Sequence, residues 1–147
     1  MGIIDSFLNE SKTDEGVLSD ISDSTSIAPF RVYMSFTPLR LSAMQANKVD
    51  LIVKVTNLMR EKKLVSVDVA VPKNTLIGFD RTCLNKSVEK KAGELSQGES
   101  AEIAVPIWAT NQTKSDEIPI EVTAFAHYQD YNKVLASVRK RTTLRIV

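Results

Sequence analysis

The chain has 147 residues, of which 43% are hydrophobic and 25% are charged, and its formal net charge is +1. These values are typical of one folded domain with a buried core and without a bulk attraction to nucleic acid or anionic membranes. One cysteine and one histidine exclude an internal disulfide framework and an ordinary single-chain zinc site, which needs about three or four nitrogen or sulfur ligands. With no apolar run near ~18 residues and no basic-then-apolar leader, we expect no transmembrane segment, no signal peptide and a cytoplasmic location.

Residues 1–28 differ in character from the rest of the chain, because they are rich in serine and acidic side chains and poor in large ones. Such a segment buries too little apolar surface to offset its ordering entropy, so we predict a mobile acidic arm before a folded domain over residues 29–147. Two apolar groupings at helical spacing interrupt the arm and are predicted to bind a partner or to fold back on the domain. They are Ile3, Ile4, Phe7 and Leu8, and then Val17, Leu18 and Ile21.

From Phe30 onward, apolar residues recur at every second position, which is the pattern of half-buried β-strands. In chain order the predicted strand segments are Phe30–Phe36, Leu39–Ser42, Val49–Asn57, Val65–Val71, Leu76–Phe79, Ala101–Ala109, Ile118–Ala126 and Val134–Val147. Residues 80–97 are polar and weakly periodic, and we expect a loop there with at most one short strand. Pro106 lacks an N–H for a strand ladder, so its strand is expected at an edge or bulged.

Seven or eight strands separated by turns, with no long helix, predict an all-β fold. Apolar residues on one face of each strand and polar ones on the other favour a two-sheet antiparallel β-sandwich, with a barrel as the alternative.

Two local patterns resemble immunoglobulin-like modules. The strand Val49–Asn57, followed by a charged turn and Val65–Val71, resembles their second and third strands, and Gly93–Ser100 resembles the turn before a later strand. The sequence is most similar to the cell-adhesion-related domain of bacteria and archaea and its fibronectin-type-III-like relatives, over roughly residues 30–147. The resemblance implies an immunoglobulin-like fold and a binding or spacer role. The missing Cys…Trp…Cys spacing excludes a disulfide-bearing antibody-type domain.

The residue types that carry catalysis are sparse. His127 is the single imidazole, and we expect it to be a surface or edge histidine rather than a general base. Cys83 is expected to be a partly buried, unreactive thiol. Three loop acids near predicted strand ends are candidates for glycoside hydrolysis, but their spacing does not set them opposite one another; they are Asp80, Asp116 and Glu117. We therefore predict no enzymatic activity, no metal and no cofactor.

Two sets of side chains are candidates for ligand binding. The last strand carries Arg139, Arg141 and Arg145 on one face, about 6–7 Å apart for neighbouring positions. This stripe suits phosphates or an acidic partner, or it is only the solvated side of a sheet. Three aromatic side chains near strand ends form a second set, either as a platform for sugars or bases or as cover for the core; they are Trp108, Tyr128 and Tyr131.

We predict a non-enzymatic protein-interaction or spacer module whose arm and sheet edges contact a protein partner, with homo-oligomerisation through the edges also open. A polyanion or nucleic-acid binder using the arginine stripe is the first alternative, and a carbohydrate-binding domain around Trp108 is the second. The charge distribution favours contact between arm and domain. The first 30 residues hold six acids and one lysine, whereas the remainder holds 12 acids and 18 bases.

Overall fold

The computed structural model describes residues 28–147, so nearly all of the predicted arm, with both apolar groupings, lies outside the described residues. The described part consists of nine strands and their connections. They are β1 (Phe30–Thr37), β2 (Arg40–Leu41), β3 (Asn47–Asn57), β4 (Lys63–Ala70), β5 (Ile77–Gly78), β6 (Ser87–Leu95), β7 (Ser100–Ala109), β8 (Asp116–His127) and β9 (Val134–Ile146). Within residues 28–147, no helix is long and apolar enough to span a bilayer.

The strands form two packed sheets. One has the order β1-β3-β7-β5 and the other β2-β9-β8-β4-β6. Every ladder is antiparallel except that between β2 and β9, where Arg40 and Leu41 pair in parallel with Arg145 and Ile146. The predicted all-β fold with a two-sheet β-sandwich is confirmed. The described part has seven long strands and two strands of two residues each, β2 and β5. The total of nine exceeds the predicted seven or eight.

The core lies between the sheets, where the apolar row of each central strand points inward. In β3, the inward side chains from Val49 to Val55 are at most 1% exposed. They face the rows of β4 and β8, whose fully buried members include Val67 and Ile120. Burying one valine, leucine or isoleucine side chain stabilises the fold by about 1.5–3 kcal/mol. The period of two in the sequence therefore sets which face of each strand is buried.

The prediction for residues 80–97 was wrong in one respect, because β6 runs for nine residues from Ser87 to Leu95. This strand lies at the edge of the five-stranded sheet, and its inward row includes Lys90, opposite Val67. The ladder with β4 also shifts register near Gly93, which has a φ of +82°. The inward lysine and the bulge interrupt the apolar alternation, and both are common on edge strands.

A buried asparagine joins two turns at one end of the sandwich. Asn57, the last residue of β3, is 0% exposed. Its Nδ2 donates to the carbonyl oxygens of Leu95 and Glu61 at 2.8 and 3.1 Å, and its Oδ1 accepts from the Met59 N–H at 2.9 Å. Its backbone carbonyl accepts from the Gly98 N–H at 2.7 Å. The side chain thus fixes the β3–β4 turn against the β6–β7 turn.

Candidate functional site

The last strand has an open side. β8 pairs with β9 from Val134 to Ile146, whereas on the other side β2 covers only Arg145 and Ile146. Among the described residues, no strand is hydrogen-bonded to Val134–Leu144 on that side. We call these residues the β9 edge. Unpaired N–H and C=O groups on such an edge are able to accept a further strand.

The structure brings the three predicted arginines together on the outward face of β9, each near a glutamate of β8. The Nε atoms of Arg139 and Arg141 lie 3.7 and 3.5 Å from Oε2 of Glu121, and that of Arg145 lies 3.7 Å from Oε2 of Glu117. Exposed pairs of this kind contribute at most about 1 kcal/mol each. Because Arg139 and Arg141 share one carboxylate, the middle of the β9 edge keeps a net positive charge.

The side chains of the β9 edge combine apolar and basic character. Val134 and Leu135 are 55% and 53% exposed, and Ala136 and Val138 pack against the core while only partly buried. Lys140 follows and is exposed. The edge therefore offers apolar contacts at its start and positive charge at its middle.

The other long edges of the sandwich are less suited to adding a strand. β7 lies between β3 and β5 in the sheet, but β5 pairs with it only at Trp108 and Ala109, so Pro106 lies on a stretch whose outer side is open. The bulge and inward lysine described above interrupt β6. β1 is open as well, but it is shorter and has Arg31 as its one charged residue. The β9 edge is the longest open edge in the described part of the chain and has the largest net charge of these edges, from Arg139, Lys140 and Arg141.

The structure does not bring the predicted aromatic platform together. Trp108 lies on the outward face of the four-stranded sheet, with Lys48 Nζ and Arg81 Cζ 5.8 and 5.3 Å from its ring centroid. Tyr128 and Tyr131 follow β8, in the other sheet. The tryptophan and the tyrosines therefore belong to separate surfaces.

The expectation of a surface or edge position for His127 was wrong, because it is only 4% exposed. Its Nε2 lies 2.7 Å from Oγ of Ser66, which is fully buried. The ring of Tyr131 packs edge-on against the imidazole at a centroid distance of 5.1 Å, and the Tyr131 hydroxyl accepts the Gly93 N–H at 3.1 Å. Since the serine and the imidazole are both covered, the pair holds the β8–β9 turn in place rather than forming an accessible nucleophile and base.

The loop acids considered for glycoside hydrolysis have local partners. Asp80 Oδ1 accepts the Leu84 N–H at 3.1 Å, Asp116 Oδ1 accepts the Glu117 N–H at 2.8 Å, and Glu117 lies near Arg145. Within residues 28–147, no group of three histidine, cysteine, aspartate or glutamate side chains is placed to hold a metal ion. In the described structure, Asp80 and Asp116 therefore accept hydrogen bonds from the backbone of their own loops, and Glu117 forms a surface ion pair.

Two loops at the end of the sandwich opposite Asn57 enclose a groove of about 650 Å³. They are residues 71–76, between β4 and β5, and residues 79–86, between β5 and β6. Leu76 and Leu84 contribute to the groove and are 50% and 77% exposed, and Lys73 and Lys86 lie beside them. No acidic side chain lines it. We call it the lysine-rimmed groove.

Hydrogen bonds to main-chain atoms hold the groove in shape. Lys86 Nζ donates to the carbonyl oxygens of Thr75 and Ile77 at 2.7 and 2.6 Å, which ties the two loops together. Cys83, at the base of the groove, is 5% exposed and its Sγ donates to the Trp108 carbonyl at 3.2 Å. Burial raises the pKa of this thiol, and a thiol with a raised pKa has less of the reactive thiolate.

A destabilising carboxylate lies next to His127 on the five-stranded sheet. Oδ1 of Asp68 is buried without a hydrogen-bond partner. Burial, and then the nearby Glu89, raises the pKa of Asp68 above its ordinary 3.8, while His127 acts in the opposite direction. A carboxyl group whose pKa is higher in the folded state than in the unfolded chain lowers stability once it ionises.

We therefore expect Asp68→Asn to stabilise the protein at pH 7. The gain should shrink as the pH falls and vanish below about pH 3.8, the ordinary pKa, where the wild-type carboxyl is protonated in both states. Urea denaturation of both proteins from pH 3 to pH 8 measures it. Glu89→Gln is the control. It removes only the repulsion between Glu89 and Asp68 and leaves Asp68 buried, so it should stabilise the protein less than Asp68→Asn does. Equal stability of Asp68→Asn and wild type at all pH values would contradict the prediction.

No protein-family model and no curated protein matches the sequence. Among solved structures, it is similar to native alpha-2-macroglobulin from Escherichia coli, spanning domain MG7 to the C-terminus, with a TM-score of 0.54 and 18% identity over 82% of this chain. The match covers 17% of that chain. At this identity the likeness establishes the immunoglobulin-like fold alone.

Two further likenesses have lower TM-scores. The DNA-bound alkylpurine DNA glycosylase AlkC of Pseudomonas fluorescens gives 0.48 at 12% identity, covering 81% of this chain and 30% of that one. The ASH/PapD-like domain 7 of human CEP192 gives 0.45 at 9% identity, covering 91% of this chain and 96% of that one. The two-sheet sandwich and the likeness to alpha-2-macroglobulin confirm the immunoglobulin-like part of the sequence resemblance, and the narrower likeness to the cell-adhesion-related domain stays a prediction.

Proposed function

We propose that the chain is a non-enzymatic protein-interaction module that binds an extended segment of a partner protein at the β9 edge. The observation that carries the proposal is an open edge from Val134 to Leu144 with two guanidinium groups beside one carboxylate. An added strand gains main-chain hydrogen bonds along the edge, and its alternate side chains provide specificity.

The charge of the edge indicates which partner segment fits. A carboxylate of the partner opposite Arg139 or Arg141 competes with Glu121 for guanidinium groups that are already 68% and 72% exposed. The desolvation cost is therefore small. Complementary charge of this kind raises the association rate and the selectivity, and it weakens with salt. The partner segment is therefore extended, with acidic residues facing the arginines and apolar residues facing Val134 and Leu135.

A second copy of the chain fits this edge less well. Two β9 edges paired antiparallel about Lys140 set Arg139 of one copy against Arg141 of the other, and like charges directly opposite are destabilising. The predicted arm remains part of the proposal as a second contact for the partner, through Val17, Leu18 and Ile21.

Charge reversal on the edge tests the proposal. Extended peptides selected for binding to the full chain from a random displayed library should alternate acidic and apolar residues. We expect Arg139→Glu/Arg141→Glu to weaken their binding by at least about tenfold, the equivalent of 1.4 kcal/mol, in isothermal titration calorimetry. Arg145→Glu is the matched control, because Arg145 has the same orientation and a glutamate neighbour but its edge is already covered by Arg40.

Two other outcomes would replace the proposal. Oligonucleotide binding that falls steeply with salt, and that Arg145→Ala weakens as much as Arg139→Ala or Arg141→Ala, supports the polyanion alternative. Sugar binding lost in Trp108→Ala and kept in the arginine variants supports the carbohydrate alternative. Peptides that bind the double variant and wild type equally well would also contradict binding at the β9 edge.

A further inference from the structure

The lysine-rimmed groove is a second surface, unused by the proposed function. It lies in loops at the far end of the four-stranded sheet from the start of β1, whereas the β9 edge belongs to the other sheet. Leu76 and Leu84 remain half or more exposed although hydrogen bonds fix both of their loops. A groove whose loops are already held by hydrogen bonds needs little reorganisation to bind a ligand.

The charges around the groove select an acidic occupant. Lys73 and Lys86 lie at its rim and no acid lines it. Outside the described residues, the chain itself supplies a segment of opposite charge, since the first 30 residues hold six acids and one lysine. Within this segment the grouping Ile3–Leu8 contains Asp5 and precedes Glu10. This segment thus combines apolar and acidic side chains.

Chain length decides which of the two apolar groupings reaches the groove. Phe30 pairs with Asn57 at one end of β3, and the groove lies beyond Asn47 at the other end. The distance from Phe30 to the groove, measured along the strands, is therefore about 33 Å at ~3.3 Å per residue. β5 is three strands away from β1, which adds about 14 Å sideways and makes roughly 36 Å in total.

The seven residues that separate Ile21 from Ala28 span at most about 25 Å, too short for the second grouping. The 20 residues that separate Leu8 from Ala28 span up to about 70 Å when extended. As a random coil the same length has an r.m.s. end-to-end distance of about 25 Å, so the first grouping reaches the groove, roughly 36 Å away, when the segment extends to about half of its full length.

We propose that the segment Ile3–Leu8 of the same chain occupies the lysine-rimmed groove, with its apolar side chains against Leu76 and Leu84 and its acidic neighbours facing Lys73 and Lys86. The occupied groove is then closed to other acidic segments. The β9 edge stays open, so this contact and the proposed function stand or fall separately.

Backbone amide resonances of the full-length chain test this contact. In Phe7→Asp/Leu8→Asp, the amide resonances of Leu76, Leu84 and Thr110 should shift, and those of the β9 edge should not. Lys73→Glu should shift the resonances of Ile3–Leu8. The matched control is Val17→Asp/Leu18→Asp, which changes the grouping that cannot reach and should leave the groove resonances in place.

Unchanged groove resonances in Phe7→Asp/Leu8→Asp would overturn the proposal. Groove shifts that depend on protein concentration would overturn it too, because they would assign the groove to the arm of a second copy. Equal groove shifts in both double variants would show an effect of charge alone and would likewise contradict it.

Discussion

Asn57→Ala is expected to lower the free energy of unfolding by about 2–4 kcal/mol. The change removes two side-chain donors and one acceptor from a fully buried position, and each buried polar group left without a partner costs about 1–3 kcal/mol. The Leu95 carbonyl bears most of this cost, since Leu95 is 3% exposed whereas Glu61 lies in an exposed turn. Domains of this size are stable by about 5–15 kcal/mol. Urea denaturation followed by circular dichroism measures the loss.

Asn57→Asp separates the hydrogen bonds from the side-chain volume. This change keeps the shape but directs a carboxylate at the carbonyl oxygens of Leu95 and Glu61. Burial and those oxygens raise the folded-state pKa of the new carboxyl, so the stability of this variant relative to wild type should fall as the pH rises from about 4 to 7. Asn111→Ala, at an exposed asparagine, is the control and should change stability by less than about 0.5 kcal/mol. A loss as small as that in Asn57→Ala would contradict the role given to Asn57.

Gly78→Ala is the second change with a large expected effect, about 3 kcal/mol of destabilisation. A Cβ atom at Gly78 would lie 2.7 Å from Cα of Cys83 and 2.8 Å from the carbonyl oxygen of Asn85. Both contacts are with main chain, which a rotamer change cannot relieve. The 79–86 loop must therefore move, and the hydrogen bond from the Phe79 N–H to the Asn85 carbonyl weakens.

Gly93→Ala is the matched control for Gly78→Ala. No atom lies within 4 Å of a Cβ at Gly93, but its φ is +82°, so this change costs only the conformational strain of about 1–2 kcal/mol. Urea midpoints should rank wild type above Gly93→Ala and Gly93→Ala above Gly78→Ala. The reverse order of the two variants would show that the 79–86 loop is not packed against Gly78.

The fold is predictable where one strand face is apolar throughout. Val49–Val55 and Val65–Val71 alternate without a break, so their burial follows from the period of two. β6 is the exception, because Lys90 and the bulge at Gly93 interrupt its inward row. An edge strand needs apolar side chains on fewer positions than a central strand, so its pattern is weaker.

Side-chain surroundings are less predictable, because they depend on which strands are neighbours. The alternation in β9 places Arg139 and Arg141 on one face, as the structure confirms. Glu121 lies opposite Arg141 because of the register between β8 and β9. The spacing of residues along the chain does not predict this register. The expectation for His127 was wrong for the same reason, since its buried hydrogen-bond partner Ser66 lies 61 residues away in the sequence. The lysine-rimmed groove likewise depends on how the two loops that flank β5 fold against each other and against Thr110.

Amide hydrogen exchange with and without a selected acidic peptide tests most directly whether the β9 edge binds an extended segment. On binding, the amides of Val134–Leu144 that point away from β8 should exchange more slowly, because they become donors to the added strand. The β7 amides near Pro106 should be unaffected, and Arg139→Glu/Arg141→Glu should abolish the protection. Slower exchange confined to the lysine-rimmed groove or to another edge, with unchanged exchange in β9, would contradict the account.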